Sequence, residues 1–253
     1  MEWSAPAVVL SMRPFGNADA LVAVMTEAHG LHRGLAHGGA SRTKAAVWQP
    51  GNLAQVQWTG RLTEQLGAFS GELVYAGAAL SMEDPLGLAM MSAVCATADG
   101  AMPEREPHPR VFEDLVDLVP RIVVGESALT MLVRWELTLL ADLGYGLDLS
   151  VCAVTGQSEG LAYVSPRSGR AVTKIGAGIW QSRLLPLPGF LVGEEQPDYP
   201  AWRDGLRLTG HFLARDAFGH QHRPLPQARA MLYDRVSALA EAMDRNRETP
   251  HAG

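Results

Sequence analysis

Residues 53–58 read Leu-Ala-Gln-Val-Gln-Trp. Apolar and polar positions alternate, the period of a strand with one face in a core and the other in water. Gln55 and Gln57 share the wet face, and Pro50-Gly51 just upstream supplies a turn. Working outward, Val8 to Met12, Leu21 to Thr26, Leu31 to Ala36 and Gln65 to Tyr75 read as four more strands. Gly16, Gly30, Gly34 and the Gly38-Gly39 pair punctuate them. Strands spaced by roughly 10–15 residues predict a small β-barrel.

Near residue 76 the pattern changes. Ala76 to Ala98 is rich in Ala, Leu and Met, and Asp84-Pro85 fits a helix cap followed by a first-turn proline. Val111 to Val119 has helical spacing. Ser127 can cap a helix from Ala128 to Leu143, which Gly144-Tyr145-Gly146 stops. Val151 to Thr173 reads as a hairpin turning at Pro166-Arg167-Ser168-Gly169. Trp202 to Leu213 and Ala228 to Met243 read as two more helices. The expected class is α+β: a five-stranded barrel over residues 1–78, then an α-helical domain over residues 79–253 with a β-hairpin at about 150–175.

With 47% hydrophobic and 19% charged residues, the chain has globular rather than disordered composition. It lacks both the uninterrupted apolar run of about 18 residues that a membrane helix needs and a secretory leader pattern. Its two cysteines, Cys95 and Cys152, are far apart. A reduced, cytoplasmic protein away from membranes is expected.

The formal charge of −6 hides a division. Residues 81–150 are net −8, whereas Arg13 to Arg61 holds Arg13, Arg33, Arg42, Lys44 and Arg61 against only Asp19 and Glu27. Global acidity does not exclude a polyanion, because binding responds to the field within about 8–10 Å. Arg42 and Lys44 fall in a Gly/Ser/Thr loop, where backbone N–H groups and hydroxyls can also meet phosphates. Phe15, Trp48 and Trp58 are candidate stacking faces, with a core role favoured for Trp58.

Catalytic and metal motifs are thin. Ser41-Arg42-Thr43-Lys44 matches S-x-x-K, but the S-D-N and K-T-G elements of that chemistry do not occur. No catalytic residue, and no enzyme, is expected. His220-x-His222 has no nearby Cys or acidic residue to complete a metal set. Cys152-x-x-Thr155 has the spacing of half a zinc knuckle with Thr in the second place, and one thiolate cannot build a structural zinc site. Neither a metal nor another cofactor is expected.

The chain resembles the RecO recombination mediators of bacterial DNA repair. The resemblance rests on Val9-Leu10-x-x-Arg13-Pro14-x-Gly16-x-x-Asp19, Thr26-x-x-His29-Gly30, Gly39-x-Ser41-Arg42-x-Lys44, Gln49-Pro50-Gly51-Asn52 and Arg61-x-x-x-Gln65-Leu66-Gly67. It continues in Glu136-Leu137-x-Leu139-Leu140-x-x-Leu143-Gly144-Tyr145-Gly146, Cys152 and Leu225-Pro226-x-Ala228-Arg229.

The resemblance implies an N-terminal OB-fold and a helical domain with an inserted zinc-knuckle-like hairpin, here without its metal. It implies ATP-independent binding and annealing of single- and double-stranded DNA. It further implies contacts with RecR and the C-terminal tail of the single-strand-binding protein, RecA loading, and association with the nucleoid. Carried onto this sequence, the DNA-binding residues are Arg13, Arg33, Arg42, Lys44 and Arg61. Arg203, Arg207 and Arg215 are candidates for receiving the acidic tail, or for extending the DNA path. Asn17 departs from the acid common at that place, and Thr155 from the second cysteine. A pure protein-interaction scaffold is the alternative, and a hydrolase using Ser41 and Lys44 a more distant one.

Overall fold

The computed structural model describes residues 1–61, 66–193 and 196–248. Gln65, where the fifth strand is expected to begin, and the tail beyond residue 248 lie outside the described residues. The chain divides into two compact units, residues 1–128 with 226–229, and residues 129–225 with 230–253.

In the first unit five strands, β1 (Glu2–Phe15), β2 (Asp19–Thr26), β3 (Gly30–Ala36), β4 (Leu53–Thr59) and β5 (Gly67–Tyr75), close in the order β1-β2-β3-β5-β4. The expected first strand, Val8 to Met12, is the middle of a far longer one. β1 pairs with β4 from Glu2 to Val8 and with β2 from Val8 to Phe15, with an irregularity between Val9 and Ser11. One strand thus serves two neighbours, and the bend lets the sheet curl shut. β3 and β5 complete the closure in parallel, Gly34 opposite Gly67 and Ala36 opposite Phe69.

The alternation read in β4 holds: Ala54, Val56 and Trp58 are buried inside, while Gln55, Gln57 and Thr59 are exposed. Ala7, Val9, Ala20, Val22, Val24, Ala36 and Phe69 fill the rest of the interior, together with Trp48 from the β3–β4 connection. Alternation fades in β1 and β2 because their outer face is covered too. The helices α2 (Pro85–Ala101) and α3 (Pro109–Val124) pack there, and Val8, Leu10, Ala23 and Met25 are buried. A short helix, α1 (Gly77–Ser81), precedes them. The Asp84 carboxylate caps α2 by accepting from the N–H groups of Leu86 and Gly87, both at 2.9 Å, with Pro85 in the first turn as expected.

Residues 104–106 form a strap against β3. Leu31 bridges Glu104, and the Arg105 N–H donates to the Leu31 carbonyl at 2.8 Å. Gly30 makes this possible: it sits at φ +60°, and a Cβ there would lie 1.9 Å from the Glu106 carbonyl oxygen.

The second unit contains most of α4 (Ala128–Asp142), a three-stranded sheet of β6 (Leu161–Val164), β7 (Ala171–Thr173) and β8 (Leu185–Pro186), then a short α5 (Lys174–Ala177) and α6 (Tyr199–Phe212). The last helix, α7 (Gln227–Glu248), belongs to it from Ala230 onward. The hairpin turns where expected, the Gly169 N–H donating to the Ser165 carbonyl at 2.9 Å. Among the described residues no helix is long and apolar enough to cross a membrane.

Candidate nucleic-acid interface

The five cations from Arg13 to Arg61 do not behave alike. Arg33 projects outward from β3 between two acids. Its guanidinium meets Asp99 at 2.7 Å and Glu104 at 2.6 Å, and it donates to the Asp99 carbonyl at 3.3 Å. Its charge is balanced by its own chain, and it pins the strap to the strand. Arg13, Arg42 and Arg61 are exposed and pair with no carboxylate among the described residues. Lys44 is exposed, its ammonium donating to the His37 carbonyl at 3.3 Å.

Register and hydrogen bonds relate Arg13, Lys44 and Arg61 to one another in turn, and Arg42 lies two residues before Lys44 in the β3–β4 connection. Arg13 lies opposite Leu21 near the β1–β2 hairpin, two positions from Asp19. The Asp19 carboxylate reaches across to the β3–β4 connection, accepting from the Gly38 N–H at 2.8 Å and meeting His37 Nδ1 at 3.2 Å. The Gly38 hydrogen bond, helped by His37 and Lys44 and opposed by burial, holds that carboxyl below the usual range. His37 and Lys44 then share a cleft with Thr59 of β4 and Ser70 of β5, and Thr59 lies two residues before Arg61. A chain of exposed cations thus runs from the hairpin, past the connection, to the end of β4.

Ser41 is held inside the same turn. Its hydroxyl donates to the Gly38 carbonyl at 2.6 Å, whereas Lys44 is turned to His37. The S-x-x-K spacing reflects a hydrogen-bonded turn, in which the Ala45 N–H donates to the Ser41 carbonyl at 2.9 Å. Of the aromatic candidates only Phe15 is exposed, at 52%. Trp58 and Trp48 take the core role that was open to each beside stacking, and Trp48 plugs the barrel interior.

In the second unit Arg215 is also committed. It grips Asp216 through two 2.7 Å contacts, donates to the carbonyls of Pro166 and Arg167 at the hairpin turn, and lies 4.7 Å over the Phe212 ring. Arg203 meets Asp204 at 3.3 Å. Arg207, one helical turn further along α6, is exposed beside an open groove lined by Tyr163, Ile179, Leu184 and Pro186. Nearby in sequence, Ile175 and Ile179 are more than 80% exposed, and Arg183 lies 5.0 Å over the half-exposed Trp180 ring. These apolar positions were not foreseen from sequence. Short 3-10 turns break the helical period that would have marked them. His220 of the His220-x-His222 pair is exposed and joined to the Tyr145 hydroxyl at 2.8 Å.

The Cys152 thiol is buried where a zinc-knuckle ligand would stand. It receives the N–H groups of Thr155 at 3.4 Å and Thr173 at 3.2 Å, and meets the Thr173 hydroxyl at 3.5 Å. Burial opposes the thiolate, but these donors outweigh it and lower the group to about 6. Among the described residues no group of three His, Cys, Asp or Glu side chains could hold a metal ion. One sulfur ringed by N–H donors does not fit a tetrahedral zinc set. Val172 and Ala177 pack with Cys152, flanked by Leu161, Tyr163 and Leu184.

Comparison with known proteins agrees with this architecture. The family models described as "Recombination protein O N terminal" and "Recombination protein O C terminal" match residues 1–76 and 82–224. The DNA repair protein RecO of Granulibacter bethesdensis is 55% identical over 95% of this chain and 98% of its own. That of Gluconacetobacter diazotrophicus is 56% identical over 94% of this chain and 96% of its own, and that of Paracoccus denitrificans 46% over 96% and 99%. With both halves matched in order, and relatives this similar over nearly their whole length, the chain belongs to the recombination protein O (RecO) family of DNA repair proteins.

Proposed function

We propose that residues 1–78 form an OB-type DNA-binding domain, and that the helical remainder, 79–253, carries the protein contacts of a recombination mediator. The strand order with β3 beside β5 supports the OB reading. OB folds commonly bind ligands over strands 2 and 3 and the flanking loops. Here Arg33 on β3 is neutralised and the strap covers Leu31, so the route shifts. It follows Arg13, Arg42, Lys44 and Arg61 along the β1–β2 hairpin, the β3–β4 connection and the end of β4.

The observation that carries the reading is this chain of exposed cations in a protein whose net charge is −6. Phosphates neutralised on it repel a second strand less, so complementary strands anneal without ATP or bond chemistry. RecR and the acidic tail of the single-strand-binding protein dock on the helical part, and the complex helps load RecA. The groove beside Arg207, a cation next to apolar side chains, suits such a tail. The protein works in the cytoplasm with the nucleoid, and its hairpin needs no metal.

Binding of a fluorescent oligonucleotide and annealing of complementary strands test the proposal. Arg42→Glu with Lys44→Glu is expected to weaken both. Unchanged affinity would sink the phosphate site, and no binding by the wild type at low salt would turn the barrel into a protein-binding scaffold. For the tail, Arg207→Glu should abolish peptide binding.

A further inference from the structure

We infer that the cleft between the β3–β4 connection and strands β4 and β5 is a subsite for one unstacked nucleobase of single-stranded DNA. The inference rests on the barrel being the DNA-binding domain and adds to phosphate contact a site for the base itself. The cleft measures about 290 Å³, close to the lower bound of about 300 Å³ for small-molecule sites. One ring system fits that space better than a base pair.

Its lining divides in two. Trp48 and Phe69, exposed by only 3% and 4%, form the floor, their ring centroids 6.2 Å apart with planes tilted by 40°. Gly71 lets the indole lie against β5, because a Cβ there would come within 2.9 Å of the Trp48 ring. The exposed side chains of His37, Lys44, Thr59 and Ser70 form the mouth. An apolar floor with few polar groups at the rim is the make-up of a small-ligand site.

Each part matches a part of a nucleotide. A base can enter with its ring over the apolar floor, to which Trp48 and Phe69 show only a ring edge, and its polar edge can reach the hydroxyls of Thr59 and Ser70. The phosphate that follows falls beside the Lys44 ammonium. Asp19 steadies this side by holding His37 and the Gly38 N–H. A duplex keeps its bases stacked, and extruding one costs a few kcal/mol. The cleft therefore favours single strands, which the exposed cations alone would not.

The test uses the full chain and two labelled oligonucleotides of equal length, oligo-dT and an abasic strand with the same phosphates. At moderate salt the wild type is expected to prefer oligo-dT roughly tenfold, the effect of about 1.4 kcal/mol from seating one base in the cleft. Ala68→Leu fills the cleft and should bring the ratio near one. Ser70→Leu, at an exposed rim position, should do the same with an unchanged melting temperature, so a folding defect in the first variant does not decide the outcome. A wild-type ratio near one, or a ratio preserved in both variants, overturns the subsite while leaving the phosphate site standing. The subsite also falls if Phe15→Ala, at the exposed hairpin aromatic, removes the preference. Loss of both strands by the wild type even at low salt overturns the DNA-binding reading and the subsite together.

Discussion

Replacing Arg33 by Gln should leave the salt dependence of DNA binding untouched, whereas replacing Arg42 and Lys44 by Gln should flatten it. Each phosphate neutralised on a single strand contributes about 0.7 to the slope of log affinity against log salt. Four exposed cations, Arg13, Arg42, Lys44 and Arg61, therefore give a slope near −2.8, or about a 50-fold loss of affinity between 50 and 200 mM salt. The Arg42/Lys44 double variant keeps two contacts, a slope near −1.4 and about a sevenfold loss over the same range. Arg33 already faces Asp99 and Glu104 and has no counterions to release. Its removal acts on stability instead. The Asp99 side chain is only 16% exposed, and leaving it without its cation costs about 2 kcal/mol. Anisotropy titrations at several salt concentrations, with urea unfolding of each variant, measure both quantities. A slope that flattens by about 0.7 in the Arg33 variant would show that its ion pairs open for DNA. An unchanged slope in the double variant would refute the phosphate site.

Other expectations concern the framework. Gly30→Ala places a Cβ 1.9 Å from the Glu106 carbonyl oxygen at φ +60°, so thermal unfolding should show a loss of about 2 kcal/mol or more as the strap lifts. Ultraviolet titration at 240 nm should find one thiolate forming near pH 6 and lost in Cys152→Ser, with Cys95, pushed up to about 12 first by burial and then by Asp99, silent. Because the folded Cys152 value lies below its ordinary 9.0, the stability it adds should be full above pH 9 and lost as the pH falls toward 6. Arg215→Ala removes the clasp on Pro166 and Arg167, and hydrogen exchange at residues 167–170 should speed up while the barrel amides stay protected.

Local chemistry was legible wherever one neighbour decides it. The strict alternation of Leu53 to Trp58 became β4, and Asp84-Pro85 became the cap of α2. The turn at Pro166 to Gly169 and the family motifs stand where the sequence put them. The N-terminal half of β1 was missed although Glu2-Trp3-Ser4-Ala5 alternates polar and apolar residues, because Pro6 interrupts the run and the strand that pairs with it, β4, is remote in sequence. Trp48 could be read from sequence either as a stacking face or as a core residue. Only the closed sheet shows that the β3–β4 connection folds inward to fill the core.

The sequence by itself determined the class, most of the barrel's strand-forming segments and the family, since backbone propensity, side-chain period and ordered motifs are properties of neighbours along the chain. It also located the charge excess between Arg13 and Arg61. Which of those cations face solvent was decided only in three dimensions. Arg33 meets a residue 66 positions away at Asp99 and another 71 away at Glu104, while Arg13 is set opposite Leu21 by register and Lys44 shares a cleft with Thr59, two residues before Arg61. The cleft under Lys44 likewise exists only because β4, β5 and the β3–β4 connection meet. A surface charge is free or paired according to what the fold places within a few ångströms of it, and spacing along the chain does not record that distance.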